Sequence, residues 1–348
     1  MKFDPESIAR PNILKMTPYS SARDEYSGKA SIFLDANENP FNSPYNRYPD
    51  PHQRELKKQV SELFSLPVQN IFLGNGSDEA IDLLFRVFCE PAEDNVVAIH
   101  PSYGMYAVCA AMNNIEIRKV LLKPDYSLDS EAIIDSTNPK TKMIFLCSPN
   151  NPTGNLMDID EVVKLLKAFK GLVVMDEAYI DFARTDGVLP YLNEYQNLVI
   201  LRTFSKAWGL AGIRLGMAFA SESIIKLMAK VKYPYNLNIL TQEFAIKTIT
   251  DRTRRDQWIE EIIEERENMK VNLGNLPIVE KIYPSDANFL LVKVDNPQDL
   301  YSFLKEKGII VRDRSRVDLC EGSLRITIGT REENRELLKE LKNYIEDR

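Results

Sequence analysis

The stretch Thr203-Phe204-Ser205-Lys206-Ala207-Trp208-Gly209-Leu210-Ala211-Gly212-Ile213-Arg214 surrounds one lysine with hydroxyl and small residues. A lysine amine can form a Schiff base with an aldehyde. Nearby hydroxyls and an arginine, here Arg214, can hold a phosphate. The stretch therefore predicts the site of an aldehyde cofactor that carries a phosphate. The alternative is an exposed lysine in a serine-containing turn, but the glycines and alanines around Lys206 favour close packing.

Short apolar runs rich in Val, Ile, Phe and Leu alternate with helical patterns on both sides of this stretch. The predicted strands are Asn95–His100, Lys142–Cys147, Leu172–Asp176, Leu198–Arg202 and Met217–Ala220. The predicted helices include His52–Phe64, Glu79–Cys89, Tyr103–Met112 and Ile159–Phe169. Alternation of this kind is typical of an α/β fold, in which a mainly parallel sheet is covered by helices on both faces.

The pattern divides the chain into three parts. We expect an irregular arm over residues 1–45, a large domain over residues 46–250 and a small α+β domain over residues 251–348, with the arm packed on the small domain. A long charged helix over about residues 240–273 is expected to bridge the two domains. In the small domain the predicted strands are Phe289–Val294, Ile309–Val311 and Leu324–Ile328, and the predicted helices are Pro297–Lys307 and Arg331–Ile345.

Composition excludes several classes of function. The net charge is −7 and no basic segment stands out, which argues against a nucleic-acid partner. No run approaches the roughly 18 apolar residues of a membrane span, and the N-terminus has no apolar run of signal-peptide type. The four cysteines are scattered and indicate reduced thiols in a cytoplasmic protein. The chain has only two histidines, which is too few for a His-rich metal site, so no metal is expected.

The segment Gly74-Asn75-Gly76-Ser77-Asp78-Glu79-Ala80 lies between a predicted strand and a predicted apolar helix. Glycines allow the backbone to approach a ligand, and the first free N–H groups of a helix attract an anion. The segment therefore predicts a phosphate cradle that includes Ser77 and Asp78. The alternative is an ordinary capped helix after a tight turn, because Ser and Asp are good helix caps.

A second loop, Ser148-Pro149-Asn150-Asn151-Pro152-Thr153-Gly154, follows the predicted strand that ends at Cys147. Loops at the carboxyl ends of parallel strands commonly carry ligands. The prolines restrict the backbone, and the Asn151 amide can donate a hydrogen bond to a ring oxygen. A plain turn is the alternative, since every residue in the loop favours turns.

Asp176-Glu177-Ala178-Tyr179 ends an apolar strand. A buried carboxylate is costly unless it is paired, and the protonated ring nitrogen of pyridoxal phosphate (PLP) is a suitable partner for Asp176. That ion pair lets the ring accept electrons from a substrate carbon. Tyr179 is expected to reach the ring oxygen. The alternatives are a strand-end aspartate that caps a turn or one that binds Mg²⁺.

These motifs occur in the same order as in the fold-type I PLP-dependent aminotransferases, and the resemblance covers nearly the whole chain. Within that superfamily the sequence resembles the histidinol-phosphate aminotransferase family. The matching segments are Leu34–Pro40, Arg47–Pro51, Pro101–Tyr106, Thr203–Gly216 and Leu324–Gly329. The resemblance implies a large domain with a sheet of the seven-stranded type, a smaller α+β domain and a homodimer.

The resemblance also implies roles for individual residues. Lys206 would bind the cofactor covalently and move a proton between substrate and cofactor, Asp176 would pair with the ring nitrogen, and Tyr103 would stack on the ring. Residues that would contact the ring oxygen or the cofactor phosphate are Asn151, Tyr179, Ser77, Asp78, Thr203, Ser205, Arg214 and, from the partner subunit, Tyr48. Residues that would bind the substrate are Tyr19, Asn39, Arg312 and Arg325.

The implied reaction is amino transfer between histidinol phosphate and 2-oxoglutarate, a step of histidine biosynthesis. Arg312, Arg314 and Arg316 alternate along the chain, which suits a phosphate-bearing substrate, although a solvated basic edge is the alternative for Arg314 and Arg316. Other functions remain open: an aromatic amino-acid aminotransferase, a PLP-dependent threonine-phosphate decarboxylase, or a PLP-fold regulator. No basic DNA-binding segment supports the regulator.

Overall fold

The computed structural model describes residues 3–20, 22–25 and 30–347. The helices are α1 Pro11–Lys15, α2 Ala22–Glu25, α3 Arg54–Phe64, α4 Gly76–Phe88, α5 Met105–Met112, α6 Ser130–Asp135, α7 Ile159–Ala168, α8 Glu222–Val231, α9 Ile239–Ile249, α10 Arg252–Gly274, α11 Pro297–Glu306 and α12 Arg331–Glu346. The strands are β1 Ile71–Asn75, β2 Asn95–His100, β3 Glu116–Leu121, β4 Thr141–Cys147, β5 Leu172–Asp176, β6 Leu198–Thr203, β7 Leu215–Ala220, β8 Val279–Ile282, β9 Phe289–Val294, β10 Arg312–Asp313 and β11 Ser323–Thr327.

A seven-stranded sheet in the order β1-β7-β6-β5-β4-β2-β3 forms the centre of the larger part. β7 is antiparallel to both of its neighbours, and the pairs from β6 to β3 are parallel. The mainly parallel sheet expected from the strand and helix alternation is therefore confirmed. Because the strands from β2 to β6 run in one direction, the segments that follow them emerge at the same edge of the sheet.

Both faces of this sheet are buried, as the continuous apolar runs predict. Successive residues of β5 alternate between two cores: Leu172 and Val174 lie in one hydrophobic cluster, and Val173 and Met175 lie in the other. Asp176 ends the strand and is also buried. The polar residue therefore terminates an apolar strand in a place where water is excluded.

The smaller part is a four-stranded antiparallel sheet in the order β10-β11-β9-β8. Its core contains residues of α10, α11, α12 and three of the strands, including Met269, Leu290, Leu300, Leu324 and Leu337. α12 begins at a capping box, in which the Thr330 side chain and the Glu333 side chain each satisfy the other residue's backbone N–H.

Three local expectations differ from the structure. The helix expected over about residues 240–273 is two helices, because Asp251 caps a new helix by accepting a hydrogen bond from the Arg254 N–H. No strand forms at the expected Ile309–Val311; β10 begins at the next residue and covers Arg312–Asp313. β3 was not apparent from its sequence because it lies at the sheet edge and carries exposed charged residues.

The start of the N-terminal arm packs on the large sheet layer, which differs from the expected packing on the small domain. Ala9 and Ile13 are buried in the same hydrophobic cluster as α4 and α8. The Arg10 side chain forms an ion pair with Glu90 at 3.2 Å, and the Arg10 backbone N–H donates to the Val87 carbonyl. These contacts hold residues 9–13 against α4 and α8.

Candidate active site

A cleft of about 120 Å³ lies at the carboxyl ends of β4, β5 and β6. Residues predicted from the sequence as cofactor ligands line it together: Ser77, Asp78, Tyr103, Asn151, Asp176, Tyr179, Thr203, Ser205, Lys206 and Arg214. They come from distant parts of the chain, and parallel pairing of the strands brings them to one place. Tyr48 is not among them.

Asp176 lies at the base of the cleft and is 2% exposed. Its carboxylate accepts hydrogen bonds from the Tyr106 hydroxyl at 2.8 Å and from the Ala178 N–H at 3.1 Å. Burial nevertheless raises its pKa to about 6, because desolvation disfavours the charged form more than the two donors favour it. A cationic group in the cleft would offset that cost.

Lys206 faces the same cleft from the segment after β6. Its pKa is lowered, first because burial disfavours the ammonium form and then because the Arg325 guanidinium is nearby. The ammonium nitrogen lies 5.4 Å from the centroid of the Tyr179 ring. A lysine whose neutral form is favoured can act as a nucleophile toward an aldehyde or as a base.

The predicted phosphate cradle is built from tight backbone contacts. Gly76 has φ +73°, and a Cβ there would lie 2.6 Å from the Arg214 guanidinium. Gly216 lies against the backbone of Gly76 and Ser77 so closely that a Cβ would overlap it. The start of α4 therefore lies against Arg214, and a helix start beside a guanidinium can hold an anion.

Hydroxyl and carboxylate groups complete the cradle. The Thr203 hydroxyl accepts a hydrogen bond from the Ser205 N–H at 3.0 Å, which orients the turn before Lys206. The Arg214 guanidinium donates to Asp78 at 3.3 Å, and the Tyr103 hydroxyl donates to the same carboxylate at 3.0 Å. The residues present thus fit a phosphate at one end of the cleft and a cationic ring nitrogen at the Asp176 end.

The side of the cleft that faces the small sheet carries hydrogen-bond donors. The Asn151 amide donates to the Tyr179 hydroxyl at 3.4 Å, and the Arg325 guanidinium donates to the Asn151 carbonyl oxygen. Arg325 is partly buried with a lowered pKa, because burial disfavours its charge. Arg312 lies opposite Arg325 in the β10–β11 register and is exposed. An anionic substrate group would fit here.

Three predicted residues do not reach the cleft of their own chain. Tyr19 is 67% exposed and Tyr48 is 50% exposed, with the Tyr48 ring stacked on Tyr235 at 4.4 Å between centroids. Asn39 lies in an exposed loop, where its side chain accepts a hydrogen bond from the Phe41 N–H.

Tyr106 is a site residue that the sequence analysis missed. It is 1% exposed, donates directly to Asp176 and packs edge-on against Tyr103. The sequence does contain an indication of this role. Tyr106 follows Tyr103 by three positions on a predicted helix, so the two side chains share a helix face. Only the fold shows that this face meets the end of β5.

A larger cleft of about 930 Å³ lies beside α3 and the start of α10. Several of its charged side chains are already paired with one another: Arg202 with Glu177 at 2.8 Å and Arg255 with Asp181 at 3.6 Å. In the described residues no cluster of His, Cys, Asp and Glu could hold a metal ion. None of the helices in that part of the chain has the length and apolar character to cross a membrane.

Known proteins share both the sequence and the fold. A family model described as aminotransferase class I and II matches residues 31–341. The histidinol-phosphate aminotransferase of Bacteroides thetaiotaomicron is 54% identical over 97% of this chain and 98% of its own length. That of Cytophaga hutchinsonii is 50% identical over 99% of this chain and 100% of its own length. The crystal structure of the Clostridium acetobutylicum histidinol-phosphate aminotransferase matches with a TM-score of 0.81 and 25% identity, over 87% of this chain and 92% of that one.

Replacing Asp176 with asparagine should stabilise the cofactor-free protein at pH 8. The folded-state pKa of about 6 exceeds the ordinary value of 3.8, so the carboxylate costs stability above pH 6 and costs none below about pH 4. We expect Asp176→Asn to increase the free energy of unfolding by about 1–3 kcal/mol at pH 8, less at pH 5. Thermal unfolding of both proteins without cofactor measures this.

Tyr106→Phe is the matched control for Asp176→Asn. It removes a hydrogen bond that favours the carboxylate, so it should lower the unfolding temperature at pH 8. An Asp176→Asn protein that is no more stable than the parent at pH 8 would contradict the idea that burial disfavours the charged form of this carboxyl group.

Proposed function

Because the chain belongs to the class I and II aminotransferases, we propose that it uses PLP to exchange an amino group between histidinol phosphate and 2-oxoglutarate, giving imidazole-acetol phosphate and glutamate. The fold is that of the fold-type I PLP-dependent transferases. The substrate is supported by relatives that are 50–54% identical over nearly the whole chain. The observation that carries the proposal is a partly buried lysine, with a lowered pKa, in the same cleft as the buried Asp176. A biosynthetic enzyme of the cytoplasm fits these features.

The cleft offers a partner to each polar group of PLP. Asp176 would hold the proton on the ring nitrogen, and Asn151 and Tyr179 would donate to the ring oxygen. The start of α4, Thr203, Ser205 and Arg214 would hold the phosphate. When bound, PLP supplies an electron-accepting ring that stabilises negative charge on the substrate carbon.

Lys206 performs the proton transfer. With its pKa lowered by burial and by Arg325, its amine is available as a base at the substrate Cα. The same amine, once protonated, can return the proton to a second position within reach. Burial at the base of the cleft keeps water from competing for that proton, and Tyr106 holds Asp176 in place beneath the reaction.

Arg325 and Arg312 would bind the anionic end of each substrate. They are cross-strand partners on one face of the β10–β11 pair, and Arg325 also contacts Asn151 at the cofactor site. A carboxylate needs one arginine fork, and a phosphate monoester can accept from more than one. Tyr19 would add a hydroxyl to this group if the N-terminal segment closes over the substrate.

The cofactor site would be completed by a second copy of the chain. Large apolar side chains are exposed near the N-terminal segment and α9: Ile32, Leu34, Phe41, Tyr45, Tyr48, Tyr233, Leu240 and Phe244. Exposed apolar groups of this number favour an interface. We therefore infer a homodimer in which Tyr48 reaches the partner's cofactor phosphate. Within each subunit the proposed division remains a large domain over residues 46–250 and a small one over 251–348, since each sheet has its own core.

Two other activities of this fold were expected as alternatives: an aromatic amino-acid aminotransferase and a threonine-phosphate decarboxylase. The relatives at 50–54% identity favour transamination of histidinol phosphate over both. Rates with phenylalanine and CO₂ release from O-phosphothreonine, measured beside the histidinol-phosphate reaction, compare the three directly.

Lys206→Ala should abolish amino transfer. Loss of the only base at the substrate carbon is expected to lower kcat by roughly 10²–10⁴-fold or more. The measurement is glutamate formation from histidinol phosphate and 2-oxoglutarate with purified protein and PLP. Lys226→Ala, which changes an exposed lysine, is the control.

Borohydride reduction of the holoenzyme, followed by peptide mapping, tests the same residue without turnover. The label should appear on the peptide that contains Lys206 and Trp208. A label on another peptide, or full activity in Lys206→Ala, would exclude Lys206 as the cofactor lysine.

Tyr48→Phe should weaken PLP binding roughly tenfold, because one hydrogen bond to a charged phosphate is lost. Tyr45→Phe, in the same exposed segment, should not. Mixing Tyr48→Phe subunits with Lys206→Ala subunits should restore one tight PLP site in each mixed dimer. That site takes Lys206 from the first subunit and Tyr48 from the second. Mixed dimers with no restored site would show that Tyr48 acts within its own chain or not at all.

Arg312→Ala should raise KM for histidinol phosphate by roughly tenfold or more, while KM for phenylalanine changes little. The physical reason is the loss of a charge-assisted hydrogen bond to phosphate. Steady-state kinetics with both amino donors measure the difference. Equal losses for the two donors would show that Arg312 does not contact the phosphate.

A further inference from the structure

The end of the small sheet places three arginines on one face. β10 pairs with β11 so that Arg312 lies opposite Arg325, and the Arg314 N–H continues the ladder by donating to the Ser323 carbonyl at 2.9 Å. Side chains two residues apart on a strand point to the same side. Arg314 therefore follows Arg312 toward the face from which Arg325 reaches the cofactor cleft.

Burial distinguishes Arg314 from its neighbours in sequence. Arg312 and Arg316 are exposed, whereas Arg314 is partly buried and its Nε atom has neither solvent access nor a hydrogen-bond partner. The Nε atom of Arg325 and the hydroxyl of Ser323 are in the same state. Three unsatisfied polar groups thus lie together on this face, and their burial without a partner is costly.

The charges on this face are all positive. Among the residues that the structure describes, no carboxylate forms an ion pair with Arg312, Arg314 or Arg325. The pKa of Arg314 is lowered by burial and then by the nearby Arg325 and Arg312 guanidiniums. Arg314 and Tyr179 also affect each other's pKa, and Tyr179 lines the cleft. Like charges held together without a counter-ion favour an anion of high charge.

We propose that Arg314 is a specificity-determining residue that contacts the anionic end of the substrate and favours a phosphate monoester over a carboxylate. The proposal rests on the function proposed above and adds a residue to that site. A carboxylate carries one charge and is satisfied by the fork of Arg325. A phosphate monoester carries about −1.5 to −2 charges near pH 7 and has three acceptor oxygens, so it can use Arg314 as well.

The chemistry requires an arginine at position 314. A guanidinium presents a rigid fork of donors that can bind two oxygens of an oxyanion. A lysine would keep the charge and lose the fork. Arg314→Lys and Arg314→Met therefore separate the contribution of the charge from that of the hydrogen-bond geometry.

The experiment compares two ligands that share an imidazole side chain and differ at the anionic end. Histidinol phosphate is assayed as the substrate of the holoenzyme, and histidine as a competitive inhibitor. Arg314→Met should raise KM for histidinol phosphate by roughly tenfold or more, leave kcat within about threefold, and change the inhibition constant of histidine by less than about threefold. Arg314→Lys should show a smaller rise in the same KM.

Inorganic phosphate provides a probe that does not depend on the identity of the natural substrate. Its inhibition constant, measured with any amino donor that the parent enzyme accepts, should rise in Arg314→Met in parallel with KM. If histidinol phosphate is not a substrate but phosphate inhibition still weakens in Arg314→Met, the proposed function fails and the role of Arg314 stands.

Arg316→Met is the matched control, since it removes the same charge from an exposed position on the same segment. It should leave KM for histidinol phosphate and the inhibition constants of histidine and phosphate unchanged. Equal losses for histidinol phosphate and histidine in Arg314→Met would overturn the proposal, as would an equal effect of Arg316→Met. If Arg314→Met does not fold with its cofactor spectrum intact, Arg314→Lys decides the question by the same comparison.

Discussion

The burial of a carboxylate and an amine at the ends of two neighbouring strands is the constraint on which the rest of the site depends. β5 ends at Asp176, which pairs across the sheet with Leu201 of β6, and Lys206 follows that strand. Burial disfavours the charged form of both groups. The apolar strands that make the sheet stable therefore also produce the unusual protonation behaviour that cofactor chemistry requires.

The charged side chains around the cleft differ between the side of the large sheet and the side of the small sheet. At the large sheet, acidic and basic groups are mixed: Asp78 contacts Arg214, and Asp176 accepts from Tyr106. At the small sheet the charged groups of Arg312, Arg314 and Arg325 are all cationic. A ligand that carries both positive and negative charge suits the side of the large sheet, and a purely anionic chemical group suits the side of the small sheet. Asn151, which accepts a hydrogen bond from Arg325, lies between these two groups of charges.

Buried elements were the easiest to predict. β2, β5 and β9 match their expected bounds, because a continuous apolar run has few ways to avoid a sheet interior. Edge elements were harder. β3 carries alternating charged residues, and β10 has only two residues, whose pairing depends on β11. The break between α9 and α10 rests on the capping hydrogen bond of Asp251, which periodicity does not reveal.

The sequence by itself determined the α/β class and the set of residues around Lys206, because apolar periodicity and motif chemistry are local properties. The tertiary structure alone decided that the N-terminal arm packs on the large sheet layer and that Tyr106 supports Asp176. It also decided that Arg314 is partly buried whereas Arg316 is exposed. Each of these depends on strand register or on contacts between distant segments, and a one-residue change in register would reverse the face on which a side chain lies.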